Sequence, residues 1–305
     1  MSDLPPRNWF ALAVDRVQRD GFLQAHDRIF DRPGIYTGAI EIEVVVLSPV
    51  HVGSGAWSLV DGRVVKAPVE RAGQPVIPGT SIKGMCRQIH EVLTQSGSPF
   101  EEQPPKPPRR GGSGRDASPP EQPSRSGALF GLLGHQGRLS FDDAVPLEPV
   151  ELETVEMSVP YPPQHGQGRR FYGPMPTGAD QPPRIPALAL PRGTTLRTFM
   201  RLRNVLQDEL GAVLIALGLS EHTPKIGGGK YDPLGWVRFR VVRFLLRSGL
   251  RFDKTPWVED PEKVTVFCGE AIAAVRLPPA GDEALRKLRK EMQAPPSETE
   301  DRHAT

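Results

Sequence analysis

Three short segments carry residue types and spacings that could do chemistry on a phosphate or a base. The first is Ile77-Pro-Gly-Thr-Ser-Ile-Lys-Gly84. It reads as a helix start with Thr80 or Ser81 as N-cap. Amides there are unpaired and partly positive, so a phosphate docks readily, and Gly79 permits close approach. Lys83 and Arg87 add cationic contacts one turn apart; the bland alternative is a capped helix after a proline turn. The second segment is the loop Lys225–Gly235, where Gly227, Gly228 and Gly229 sit between Lys225 and Lys230. Tyr231 and Trp236 beside it could stack on bases. No Gly-Lys-Ser/Thr follows at Walker spacing, and a loop after a helix and before a strand is no Rossmann loop. A structural glycine turn remains the alternative. The third is Val60-Asp-Gly-Arg-Val-Val-Lys-Ala-Pro68. Asp61 there could bind a metal ion or assist proton transfer, or be a solvated aspartate in a turn. His51, at a strand end before Gly53, is the most suggestive of seven histidines, though a lone histidine is usually structural. Neither G-x-S-x-G nor H-E-x-x-H occurs, nor a paired His and Cys signature.

The elements that must position these residues are legible in outline. Ala39–Val50 alternates and is rich in Val and Ile, the pattern of a half-buried strand. Ile82, Met85, Cys86, Ile89 and Leu93 share one helical face. Strands are expected over 137–144 and 194–205, a third extended segment over 151–159, a strongly apolar helix over 206–219 and a strand over 236–246. Residues 56–76 read as an irregular connection. The core order is strand, helix, strand, insertion, strand, helix, strand, which is an α+β, ferredoxin-like (RRM-like) βαββαβ arrangement. RNA-recognition domains share that order and bind RNA on the sheet face. Around it lie an N-terminal extension, 1–34, in which 8–29 could hold a helix, and a Pro-rich, disordered insertion over 96–127 with five basic residues. A second insertion, 160–193, projects from the core with Arg169-Arg-Phe-Tyr-Gly173 at its centre. A polar tail, 294–305, ends the chain.

Composition bounds the rest. The chain has 305 residues, 38% hydrophobic and 24% charged, with a formal net charge of +2, so a nucleic-acid role must rest on where the basic residues sit. With 34 prolines and 31 glycines, long loops are expected. Cys86 and Cys268 form no C-x-x-C pair and read as reduced, buried thiols. No signal peptide or membrane span is evident, so a soluble, cytoplasmic protein with no membrane partner is expected.

Taken in order, four marks resemble the RAMP superfamily of CRISPR systems. His51-Val-Gly-Ser54-Gly55 looks like its H-h-G-S/G-G turn. Ile77–Gly84, with Arg87 trailing, resembles I-P-G-S-S-h-K-G. Ala128-Leu-Phe-Gly131 with Gly137-Arg-Leu-Ser-Phe-Asp-Asp-Ala144 resembles L-F-G … G-R-L-x-F-x-D-A. Ile226–Val237 resembles the glycine-rich loop. The resemblance implies a RAMP ferredoxin-like domain over 35–293. It also implies RNA contact at His51, Gly53, Ser54, Gly79, Thr80, Ser81, Lys83, Arg87, Lys225, Gly227, Gly228, Gly229 and Lys230. The nearest likeness is to the backbone (Cas-seven-like) subunits of type III effectors. In these a loop aspartate supports metal-dependent cleavage of target RNA by its own 2′-hydroxyl. Val60-Asp-Gly-Arg-Val-Val-Lys66 lines up with that pattern, with arginine where proline is usual. The implied cofactor is Mg²⁺ or Mn²⁺ at Asp61. No zinc is expected, because Ser124-Arg-Ser-Gly replaces clustered cysteines. The 160–193 insertion fits the thumb-like hairpin of such subunits, with Arg169, Arg170, Phe171 and Tyr172 suited to phosphate contact and stacking. Implied partners are crRNA, target RNA, a large Cas-ten-type subunit, a small subunit and other RAMP subunits. Competing readings are a non-cleaving subunit that caps one guide end, a guide-processing endoribonuclease, and a metabolic enzyme binding a nucleotide at the glycine loop.

Overall fold

The computed structural model describes residues 9–14, 17–19, 34–98, 123–159, 168–174, 183–247 and 256–295. In chain order the first half holds β1 (Trp9–Leu12), β2 (Ile35–Val46), β3 (Gly53–Val60), β4 (Arg63–Pro68), β5 (Glu70–Arg71), β6 (Gln74–Pro75), α1 (Gly79–Leu93) and α2 (Arg125–Phe130). There follow β7 (Leu139–Phe141), β8 (Val145–Pro146), β9 (Glu153–Ser158), β10 (Arg169–Tyr172), β11 (Arg184–Ala189), β12 (Thr195–Leu206), α3 (Gln207–Leu214), β13 (Val237–Arg247), α4 (Pro261–Ala273) and α5 (Pro279–Glu291).

The central sheet has the order β13-β2-β12-β7, all antiparallel, with β8 also on β12. Counting the core strands β2, β7, β12 and β13 as first to fourth gives 4-1-3-2, the ferredoxin-like order, with α1 and α3 as its two helices. Period-2 alternation explains why β2 can sit in the middle. Ile40, Ile42 and Val44 are fully buried on the helix-covered face beside Leu196 and Met200 of β12. Each such side chain contributes about 1.5–3 kcal/mol. Met85, Cys86, Ile89 and Leu93 of α1 meet the same core.

The opposite sheet face is unlike an RNA-recognition platform. Glu41 and Glu43 are 1% and 6% exposed there, beneath Arg197, Arg240 and Arg243. Arg197 reaches both carboxylates at 3.0 Å. Trp257 lies beside Phe199 and under the Arg243 guanidinium. Arg197 of β12 and Arg240 and Arg243 of β13 are therefore spent on buried carboxylates.

Several expectations change. Residues 56–76 are not irregular: β3 and β4 form a hairpin that joins β11 and β9 in a second sheet, ordered β3-β4-β11-β9. The N-terminal segment is a strand at Trp9–Leu12, paired with β10, rather than a helix. Most of the expected 8–29 helix and the 296–305 end of the tail lie outside the described residues, as do 99–122 of the Pro-rich insertion. The described ends of that insertion are packed, with Ser96, Ser124 and Ser126 fully buried. In the 160–193 segment, residues 160–167 and 175–182 lie outside the described residues. Its described parts do not project: β10 pairs with β1 and buries Phe171, and β11 lies between β4 and β9.

The C-terminal helices α4 and α5 were missed, although Asp260 caps α4 with Pro261 next to it. α4 packs on α3, where Gly211 lets the backbones meet: a Cβ there would lie 1.9 Å from the Ala271 carbonyl oxygen. α5 lies against α1. Cys86 and Cys268 are free and buried, and burial pushes both thiols up. Among the described residues no helix is long and apolar enough to cross a membrane.

Candidate nucleic-acid interface

The four sequence marks meet as interlocking parts of the fold. Helix α1 starts at Gly79 after Pro78, not at Thr80 or Ser81. Its first amide is already taken: Gly79 N donates to Asp143 Oδ1 at 2.8 Å, and Arg71 holds the other carboxylate oxygen at 3.1 Å. Proximity enforces this, since a Cβ on Gly79 would sit 2.1 Å from the Phe141 carbonyl oxygen. The helix start is thus capped by an internal anion, which weakens its claim on a phosphate. Thr80 is exposed, Ser81 and Lys83 are half-buried, and burial, with Arg87 nearby, lowers the Lys83 pKa.

Arg87 is no surface contact. It donates to Glu91 Oε1 at 2.8 Å and to the Gly131 carbonyl at 2.7 Å, tying the α1 motif to the Leu-Phe-Gly turn. Arg169 takes the other oxygen of Glu91 at 2.8 Å. Burial pushes the Glu91 carboxyl up, and the two guanidiniums oppose that. Arg169 thereby fastens β10 to α1.

His51 is 2% exposed, so it does not touch RNA directly. Its Nδ1 lies 2.7 Å from the Leu188 carbonyl; that oxygen can only accept, so Nδ1 carries the proton. Burial lowers its pKa. His51 acts through its backbone: its carbonyl accepts from Gly228 N at 2.8 Å. Gly227 has φ 87°, and a Cβ there would fall 2.3 Å from that same oxygen. Only glycine fits, and the strand-end mark and the glycine-rich loop are thereby locked together. Gly229 has φ 66° and packs on Met157 and Leu234. Gly53 and Ser54 open the exposed strand β3, with Ser54 Oγ donating to the Ala67 carbonyl at 3.1 Å.

The two loop lysines differ. Lys225 points inward, donating to the carbonyls of Lys230 and Asp232, both at 2.9 Å, and lying 4.5 Å from the Trp236 ring centre. Burial lowers its pKa to about 7. Asp232 in turn holds Ser158 by its amide and hydroxyl. Lys230 is half-buried, its pKa is lowered by burial, and its ammonium has no partner among the described residues. It lines a cavity of about 390 Å³ together with Lys225, Arg170, Phe171 and Tyr172 of the expected interface. Met85, Gln88, Ile89, Gly168 and Met292 complete it; the sequence reading assigns none of them to a site, because the 3.6-residue period marks Met85 and Ile89 only as a core-facing helix face.

Asp61 stands apart. It caps the β3–β4 hairpin with φ 49°, followed by Gly62 at φ 76°, between the paired residues Val60 and Arg63. Two successive positive φ values define a type I′ turn, for which Asp-Gly is strongly preferred. The strand length places this tip on the order of 20 Å from Gly53 at the hairpin root, at ~3.3 Å per residue. Among the described residues no three His, Cys, Asp or Glu side chains cluster as metal ligands. One exposed carboxylate still fits Mg²⁺ or Mn²⁺, which are commonly held by one or two carboxylates with water and substrate phosphate completing the shell.

No curated protein matches the chain. The family model described as "RAMP superfamily" matches residues 43–231, from the last third of β2 into the glycine-rich loop and well over half of the chain. The match leaves β1, β13, α4 and α5 outside and takes in the first three marks and the start of the glycine-rich one, so this chain belongs to the RAMP superfamily of CRISPR-associated, RNA-binding proteins.

Proposed function

We propose that the chain is a crRNA-binding subunit of a type III CRISPR effector complex, gripping the guide where the glycine-rich loop meets β10. The observation that carries this reading is the convergence of Arg170, Tyr172 and Lys230 on one cavity, with the Lys230 ammonium unpartnered among the described residues. A half-buried cation without a carboxylate is costly unless a ligand supplies the anion. Gly53, Ser54, Thr80, Ser81 and Lys83 lie on the exposed or half-buried surface from which the same strand could be reached. Such contacts go to backbone and shape, leaving sequence recognition to base pairing with the guide. Large, small and other RAMP subunits are the partners this reading requires.

In the cleaving form of this reading, Asp61 at the hairpin tip meets the target-strand phosphate. A divalent ion bound there would supply charge neutralisation; the chain's part is to hold the carboxylate and position an unstacked nucleotide. The end-capping form differs only in lacking that role. The guide-processing form needs a general base such as histidine; among the described histidines His51, His90 and His222 are buried and His135 is half-buried.

The test is co-expression with a CRISPR array and neighbouring genes, purification, and addition of labelled complementary RNA with Mg²⁺. Retained guide and regularly spaced cuts are expected. Guide without cuts leaves an end-capping or structural subunit, and absence of any guide RNA overturns the reading.

A further inference from the structure

We propose that the cavity between α1, β10 and the glycine-rich loop takes one unstacked RNA nucleotide, its base against Met85, Ile89 and Phe171 and its phosphate on Lys230. This rests on the guide-binding reading and specifies what enters the site.

Size is the first argument. About 390 Å³ lies at the small end of the ~300–1,000 Å³ usual for ligand sites, too little for a duplex or a run of stacked bases. Chemistry is the second. The lining joins an apolar floor to a cationic edge, the division a nucleotide itself has. Met85 is 7% exposed and Phe171 is 4% exposed, stacked on Phe10, so the floor is rigid. Tyr172 offers a ring and a hydroxyl at the wall.

The third argument is an acceptor left unused. Gln88 Nε2 donates to the Arg170 carbonyl at 2.7 Å, which fixes the amide orientation because a carbonyl can only accept. No described group donates to the Gln88 amide oxygen, which remains available to a base N–H. Splayed bases read on their hydrogen-bonding edges and stacked on side chains are the common mode of single-stranded RNA recognition. At the rim the Arg170 guanidinium lies 4.5 Å from the Trp9 ring centre, bringing the N-terminal strand into the same wall.

The experiment uses the guide-loaded complex with 4-thiouridine in the guide, irradiation, and mass-spectrometric mapping of cross-linked peptides. Cross-links are expected on the peptides holding Met85 to Ile89 and Phe171 to Tyr172. Lys230→Met, which removes the charge, should cut those cross-links about tenfold, as expected for one charge-assisted hydrogen bond, and Gln88→Trp, which fills the opening, should cut them at least as far. Lys230→Arg should restore them, and thermal melts confirm that each variant folds. Cross-links confined to other peptides while the guide stays bound overturn the cavity assignment and leave guide binding standing. Preparations that carry no guide RNA overturn both.

Discussion

Replacing Asp61 separates its carboxylate from its backbone, because the type I′ turn makes two demands on one residue. At φ 49° an L-residue with a Cβ pays about 1–2 kcal/mol, whereas Asn and Asp tolerate the left-handed region. Asp61→Ala therefore removes the charge and strains the hairpin; Asp61→Asn removes the charge alone. Nothing packs over the neighbouring Gly62, so steric relief is not a factor. The expected loss of stability is ~1–2 kcal/mol for alanine and near zero for asparagine. At roughly 2–4 °C per kcal/mol for a chain of about this size, the alanine variant should melt several degrees lower. If the carboxylate acts in cleavage, both variants should lose target cutting by about 10²-fold or more while keeping the guide. The assay is a parallel melt and cleavage time course with Mg²⁺. An asparagine variant that cuts at the wild-type rate would reduce Asp61 to a turn residue. An asparagine variant that melts as low as alanine would refute the turn argument itself.

Two further perturbations test the framework. Gly227→Ala adds left-handed strain and a backbone clash with His51, whereas Gly55→Ala, at φ 86° with open space around it, adds strain only. Urea unfolding should show Gly227→Ala costing clearly more than the ~1–2 kcal/mol of the control, with guide retention falling in parallel. His90 is buried beside Ser126 Oγ at 2.7 Å, and burial holds its pKa down to about 3. The unfolded chain binds that proton near 6.5, so acid favours unfolding progressively from about pH 6.5 towards 3. Denaturation midpoints at pH 7 and pH 5 should fall further apart in wild type than in His90→Gln; equal pH dependence would show that His90 does not report this burial. His222, lowered to about 4 by burial, leaves a residual acid sensitivity in the variant.

The arrangement of the core was readable from periodicity alone. Strand alternation over β2, β12 and β13 and the apolar stripe of α1 require a sheet covered on one face by helices, and the order of elements leaves little besides the ferredoxin-like arrangement. The β3–β4 hairpin and α4 were also written locally, in Asp61-Gly62 and Asp260-Pro261, but these are cues of two residues that only their surroundings make decisive. The motifs likewise mark segments that meet in the fold, while the burial and partners of several of their side chains differ from what the sequence suggests. Arg87 and Arg169 look equally available as phosphate ligands in sequence, yet both bind Glu91, 78 residues from Arg169. His51 looks like a contact and serves as a carbonyl under the glycine loop. The α1 start looks like an open anion site and is filled by Asp143. Sequence determined which residues are cationic, flexible or apolar, because those are properties of single side chains and short periods. That Lys230 has no partner among the described residues, and that it meets Arg170 and Tyr172 over an apolar floor, was decided by tertiary structure, because pairing and burial depend on distances between segments that local chain geometry does not encode.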